Sequence, residues 1–340
     1  MDRLEQLARW VAGHTGSSKP AIAPASADAS FRRYFRLSFE DGSPSLIVMD
    51  APPDKEDCGP FIAVAALLAQ TGVNVPRVVA ADREQGFLLL TDLGTRTYLA
   101  ELSASPSSAP RLYADATAAL IRMQTRARAD ALPPYDRDLQ MRELQLLPEW
   151  YFARHRGVSL GDTQRAGLET CFERLLANTL AQPRALVHRD YHSRNLMVCD
   201  RAQGAGHNPG ILDFQDAVSG PVTYDLVSLL KDAYIEWDEE AVLDWAARYW
   251  QVARNAGVPV GTDFGEFYRD FEWMGLQRHL KVLGIFARLH HRDGKDAYLA
   301  DLPLVLRHAR ATCARYAAFA PLARLFDAIE NDQVTAGFTS

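Results

Sequence analysis

The 340-residue sequence predicts an α+β fold of two lobes, a small antiparallel-sheet lobe over 1–93 and a larger, mainly helical lobe over 94–340. Three observations carry that expectation. Short apolar runs separated by turn signals fill the first part of the chain. From about residue 96 helical patterns take over, at 109–128, 138–155, 162–181, 238–256, 264–291 and 298–316. Within that helical part only "LVH", "LMVCD" and "GILDF" read as strands, and all three fall between 186 and 214.

Taken in order, residues 1–12 place Leu4, Leu7, Ala8 and Val11 on one helical face, as a docking helix would. "FRRYFRLSF" (31–39) and "SLIVMDA" (45–51) flank the turn signal "EDGSP" and form a hairpin. "FIAVAALLAQTG" (61–72) is a buried helix stopped at Gly72, with Pro76 enforcing the stop. "RVVAAD" and "GFLLLTDL" make a second strand pair around "REQG", and "LLLTDLG" (88–94) leads into a connector near 91–96. "LSASPSSAP" (102–110) is a linker into the next helix, and "RAQGAGHNPG" is the loop of a hairpin between the last two strands. There is no internal repeat. Clefts between lobes of this kind are usual ligand sites.

The totals exclude several classes. Apolar residues at 48% and charged residues at 24% suit a soluble globular protein of one or two domains. A net charge of −6 argues against a nucleic-acid-binding surface. Cys58, Cys171, Cys199 and Cys313 lie far apart without a CxxC pair, as reduced cytosolic thiols do. The charged N-terminus has no apolar h-region, and no window approaches the ~18 apolar residues of a membrane span. The expected setting is the cytoplasm, with small-molecule ligands and without a nucleic-acid, membrane or protein partner.

The chemistry concentrates in "HRDYHSRNLMV" (188–198) and in "ILDF" downstream. Phosphoryl transfer to a hydroxyl needs a carboxylate to orient the hydroxyl and accept its proton. It also needs oxygen ligands for magnesium on the phosphates of ATP. Asp190, just after a strand, suits the first task. Asn195, where the chain re-enters a strand, and Asp213, at the end of the paired strand, suit the second, so one hairpin gathers three oxygen donors. A lone HxD triplet arises by chance, and an Asp after a strand is commonly a turn residue. All these residue types in this order, each at a strand end, raise the reading well above chance. His188 buttresses the loop through hydrogen bonds, and Asp225 in "GPVTYDL" either caps the helix starting near Leu226 or supports the catalytic loop.

These residues resemble the aminoglycoside-phosphotransferase-like kinases, which share the protein-kinase fold. The catalytic match spans 186–230, and the lobe layout extends it over nearly the whole chain. Protein kinases acting on Ser or Thr carry Lys two residues after the catalytic Asp. This chain has His192 there, as the small-molecule branch does. No DFG triplet or APE-like segment follows Asp213. "ASADASFRRYFRL", "LIVMDAPPDKEDCGPF", "LLLTDLG", "ILDFQDAVSGPVTYDLVSLLKDAY" and "LQRHLKVLGIFARLHHRDGK" are similar to the anomeric amino-sugar kinases of bacterial cell-wall recycling. That resemblance implies ATP-dependent phosphorylation of the C1 hydroxyl of N-acetylmuramate and N-acetylglucosamine.

The resemblance also implies a third-strand Lys paired to a helical Glu, and here the chain departs from it. The strand reads "LIVMDAPP", with Met49 or Asp50 at the expected position, and the next helix offers no acid. Arg32, Arg33, Arg36 and Lys55 are the cations at hand, and "SADASFRR" replaces the glycine-rich loop. Its small residues Ala27, Ala29 and Ser30 let backbone N–H groups approach a phosphate. Backbone groups of Thr91, Asp92 and Leu93 are placed to meet the adenine edge. On the acceptor side, either Arg278 or Lys281 would pair with a sugar carboxylate. His192 and Asp216 are candidates for hydroxyl contacts, and Trp237 and Trp273 either stack on a ring or fill core. Competing readings are a related kinase with an aminoglycoside, choline or homoserine acceptor, for which "YIEWDEE" (234–240) is the acidic cluster, and a nucleotide-binding pseudokinase. A protein kinase comes last.

Overall fold

The computed structural model describes residues 2–16, 20–27, 31–199 and 207–337. Ala29 and Ser30 of the expected phosphate loop lie outside them. The chain forms two compact units, Met1–Ala127 with Arg194–Ala217 and Arg128–Ser193 with Val218–Ser340.

The first unit begins with α1 (Arg3–Thr15), β1 (Ala21–Ala27), β2 (Arg33–Ser38), β3 (Leu46–Asp50), α2 (Gly59–Gln70), β4 (Val78–Asp82) and β5 (Phe87–Thr91). The strands pair antiparallel in the order β1-β2-β3-β5-β4. Both expected strand pairs are present. Strand β1, "AIAPASA", was not among the expected strands. Here Pro24 sits beside a register shift on an edge strand, where a missing N–H is tolerated. One sheet face buries Leu37, Val48, Phe87 and Leu89 against Leu7 and Val11 of α1, as the N-terminal apolar stripe requires. Two helices follow, α3 (Tyr98–Ala104) and α4 (Ala109–Arg126).

The second unit contributes α5 (Arg137–Leu144), a π-helix at Leu147–His155, α6 (Asp162–Ala181) and β6 (Arg184–Val187). The chain then supplies the first unit with β7 (Leu196–Met197) and β8 (Gly210–Ile211), a two-residue pairing that forms the expected hairpin. Back in the second unit come β9 (Val218–Pro221), α7 (Tyr224–Leu230), α8 (Glu239–Asn255), α9 (Phe264–Asp293), α10 (Leu302–Arg315) and α11 (Ala320–Gly337). Strand β6 pairs with β9, not with the hairpin.

Two helices differ from expectation for the same reason. The stretch 138–155 breaks at Pro148, which has no N–H to continue the helix and instead occupies the first turn of the π-helix. The stretch 298–316 begins as a 3-10 turn at Asp296–Asp301, and Pro303 stands in the first turn of α10. Helix α9 is the axis of the second core. Its Leu276, Leu280, Leu283 and Phe286 pack with Phe152, Phe172, Leu175, Val305 and Phe326. Each fully buried side chain of this size is worth about 1.5–3 kcal/mol. No helix among the described residues is long and apolar enough to cross a membrane.

Candidate active site

The candidate catalytic loop, 188–193, belongs to the second unit and is fastened at both ends by buried carboxylates. Asp225 accepts hydrogen bonds from the backbone N–H groups of His188 (2.7 Å) and Arg189 (3.0 Å). Asp225 lies inside the first turn of α7, while the capping position falls to Thr223, whose side chain makes no capping bond. Of the two roles open to Asp225, loop support is therefore the one its geometry serves. At the other end Asp232 accepts from the N–H groups of Ser193 (2.9 Å) and Tyr234 (3.1 Å). His188 is fully buried, and its Nδ1 accepts from the Asp190 N–H at 3.3 Å. His192 is buried with its ring edge-on to Tyr234, 5.2 Å between centroids. Arg189 holds φ 78°, in the left-handed region that a side chain makes costly. The clamp by Asp225 offsets that strain, which is typical of functional loops.

A buried charge cluster surrounds Asp190. Glu143 on α5 receives Lys281 Nζ at 3.1 Å, the guanidinium of Arg189 and the hydroxyl of Tyr135. Lys281 also donates to the Tyr224 hydroxyl at 3.0 Å, and Gln277 donates to that of Tyr135 at 3.0 Å. Burial alone would push the Asp190 carboxyl up. Lys281, then His192, Arg278 and Arg189, outweigh burial and hold it below the usual carboxylate range. Asp190 is thus an ionised acceptor at neutral pH. Lys281, one of the two cations considered for a sugar carboxylate, is bonded to Glu143 and Tyr224 inside this cluster. Arg278 is buried nearby, and Trp273 is packed edge-on to Phe319, which makes it core. Trp237 meets Trp245 edge-on at 5.5 Å.

Asn195 and Asp213 meet in the first unit, where the β7–β8 pairing aligns them. The Leu212 N–H donates to the Asn195 carbonyl at 2.9 Å, and the Asn195 amide donates to Asp213 Oδ2 at 3.3 Å. Gln215 donates to Asp213 Oδ1 (2.9 Å) and to the exposed Asp216 (3.2 Å). Asp213 holds φ 62°, and Phe214 is buried against Phe61, 4.8 Å between ring centroids. A carboxylate and an amide oxygen are the hard donors magnesium selects. The two side chains are adjacent, with the Asn195 amide nitrogen facing Asp213, so the pair fits such an ion once the amide turns its oxygen inward.

The residues expected at the nucleotide divide by sheet face. Arg33 stands opposite Asp50 in the β2–β3 register, on the face covered by α1. The fully buried Asp50 carboxylate takes Arg3 Nε at 2.7 Å and Arg33 Nε at 3.0 Å. The third strand therefore carries a buried anion that gathers arginines, where the kinase resemblance implies a cation. Its neighbour on the other face is the buried Met49. Arg36 grips Asp92 through Nε (2.6 Å) and Nη2 (3.1 Å), and Ser45 donates to the same carboxylate at 2.8 Å. The Thr91 N–H donates to the Arg77 carbonyl at 3.0 Å, and the Leu93 carbonyl receives the Cys199 thiol at 3.6 Å. Arg32 is half-buried and close enough to Cys58, beside the start of α2, to influence its thiol.

Glu143 and Asp232 escaped the sequence reading, and Asp50 stood there only at the place of the missing cation. Asp232 sits in the recognised "LLKDAY" run but was given no role there. Glu143 is an ordinary helical acid until the fold brings Arg189, 46 residues away, beside it.

Helical and hairpin architecture, a clamped Asp and a converging Asn/Asp pair define a phosphotransferase of the kinase-like type. The model of the phosphotransferase enzyme family matches residues 21–259, and the chain belongs to that family. It is 47% identical over the full length of both chains to an N-acetylmuramate/N-acetylglucosamine kinase of Neisseria meningitidis. It is 49% identical to the protein of that name from Pseudomonas aeruginosa, over 95% of this chain and 96% of the relative. Among solved structures, an ethanolamine kinase of Plasmodium vivax superposes with TM-score 0.63 at 10% identity, covering 91% of this chain and 89% of that one. An ADP-bound aminoglycoside phosphotransferase gives 0.56 at 15% identity, covering 89% and 97%. The structural likenesses speak to fold.

Proposed function

We propose that this protein is a cytoplasmic, ATP-dependent kinase that phosphorylates the anomeric C1 hydroxyl of N-acetylmuramate and N-acetylglucosamine in peptidoglycan recycling. The observation that carries the reading is Asp190, an ionised carboxylate on a loop pinned by Asp225 and Asp232. The names of the full-length relatives supply the acceptor.

In this reading Asp190 accepts the hydrogen bond of the C1 hydroxyl, aims its oxygen and takes the proton as transfer proceeds. A carboxylate held below its usual range is a weak base. Orientation therefore outweighs early proton removal, as a loose phosphoryl-transfer transition state allows. An anomeric hydroxyl is also more acidic than an ordinary alcohol, which eases its late deprotonation. Asn195 and Asp213 would hold magnesium, whose charge offsets that of the nucleotide phosphates when bound. His188 and Asp225 keep the loop in place, while His192 and Asp216 contact sugar hydroxyls. Residues 1–93 act as the nucleotide lobe. Arg32 is the cation proposed for the phosphates, and Arg33 is taken by Asp50. Ala29 and Ser30 of the expected phosphate loop fall outside the described residues, and the backbone of Thr91, Asp92 and Leu93 is proposed to meet adenine. Residues 94–340 carry the catalytic hairpin and the sugar site.

An acceptor panel tests this directly. N-acetylmuramate and N-acetylglucosamine should be consumed with ATP to give acid-labile phosphates, and their methyl glycosides should be inert. Asp190→Ala should abolish transfer with an unchanged circular dichroism spectrum. Turnover retained by Asp190→Ala, or phosphorylation of the blocked glycosides, would sink the assignment.

A further inference from the structure

Four polar side chains sit in sequence on the buried middle of α9, and three have partners. Gln277 donates to Tyr135, the His279 ring meets the Lys231 carbonyl at 3.0 Å, and Lys281 pairs with Glu143 and Tyr224. Arg278 is the exception. It is 3% exposed, yet its Nε and Nη1 find no hydrogen-bond partner, and no ion pair joins it to any described residue. Burying an unpaired guanidinium costs several kcal/mol, so such a group implies an anion that completes it. Asp190 and Asp225 feel its charge, which places it beside the catalytic loop. Neither carboxylate bonds to it, and Asp225 is occupied by the loop backbone.

We infer that Arg278 is the specificity-determining residue of the acceptor site, receiving the carboxylate of an acidic sugar, and that Lys281 does not share this task. The inference rests on the amino-sugar kinase reading and refines it. Of the two sugars, N-acetylmuramate differs from N-acetylglucosamine by a lactyl ether that ends in a carboxylate. A planar guanidinium is the group best shaped to grip that carboxylate through two parallel hydrogen bonds. Lys281 is already engaged by the Glu143 carboxylate and the Tyr224 hydroxyl, whereas the Arg278 donors Nε and Nη1 are open. The transferring phosphate is the rival anion. In the proposed mechanism its charge would be offset by an ion held on Asn195 and Asp213.

The test crosses enzyme variants with acceptor charge. Wild-type protein should show a KM for N-acetylmuramate about tenfold or more below that for its lactyl methyl ester, the size of one charge-assisted hydrogen bond. Arg278→Gln should lose that preference while its KM for N-acetylglucosamine moves far less, and Arg278→Lys should recover part of it. The acid and ester comparison needs no variant, so it stands even if Arg278→Gln folds poorly. Equal KM values for acid and ester on the wild type overturn the inference. So does an Arg278→Gln variant that loses kcat equally on both sugars, which would assign the cation to the phosphoryl group. Wild-type protein that phosphorylates neither sugar overturns the kinase reading itself, and this inference with it.

Discussion

At the scale of single residues, two neighbouring aspartates are driven in opposite directions. Cations overcome burial at Asp190 and keep it charged. At Asp225 burial prevails over the two backbone N–H groups and pushes the carboxyl up to about 7, with the like charge of Asp190 adding to the rise. An acid whose folded value exceeds its unfolded value of 3.8 holds its proton more tightly in the folded state. The stability this contributes is full below about pH 4 and is lost progressively as pH rises toward about 7. Asp225→Asn removes that titration and one of two hydrogen-bond acceptors. The variant should be less stable by about 1 kcal/mol at low pH. Its urea midpoint should then fall less steeply than the wild type's between about pH 4 and 7. Parallel midpoint curves for the two proteins would contradict the burial account.

At the scale of elements, α9 shows what sequence periodicity can and cannot reveal. Its apolar positions announced a helix over 264–291, and the structure has it at Phe264–Asp293. Nothing in the pattern announced that Gly284 lies against Leu146, where an added Cβ would come within 2.4 Å of a backbone carbon. Gly284→Ala should therefore lower the melting temperature, with a cost of about 2–3 kcal/mol outweighing the ~1 kcal/mol that alanine gains in a helix. A higher melting temperature would show that the π-helix can retreat. The same division applies to the site. Asn195 and Asp213 were legible because one hairpin sets them at its strand ends. Asp190, five residues before Asn195, was legible because it follows a strand, although that strand, β6, pairs with β9 and not with the hairpin. Glu143 and Asp232 were not, since the loop residues they hold, Arg189 and Ser193, are distant in sequence and only the tertiary fold brings them into range. Strand β1 was not among the expected strands, and its Pro24 is tolerated on an edge strand beside a register shift.

At the scale of the whole molecule, each compact unit is assembled from two separate stretches of chain. The first unit needs the β7–β8 hairpin. Met197 and Cys199 pack with Leu93, the Ile211 N–H donates to the Asn74 carbonyl at 2.8 Å, and the Val198 N–H donates to that of Arg96 at 2.8 Å. A fragment ending at Ala127 lacks all of these contacts. Expressed alone, 1–127 should show no cooperative thermal transition, whereas the full chain should melt cooperatively. A sharp, reversible melt of the fragment would mean that its sheet and helices suffice.

The left-handed backbone at Asp213 narrows the choice of side chain from two directions at once. The proposed metal role asks for an oxygen donor, which Asp, Glu and Asn all supply. A φ of 62° favours glycine, asparagine and aspartate and penalises every longer or branched residue by roughly 1–2 kcal/mol. The overlap of the two lists is Asp and Asn. Exchange of Asp for Glu, ordinarily the mildest of substitutions because it preserves charge, is here the more disruptive, and loss of the charge itself the gentler on the backbone.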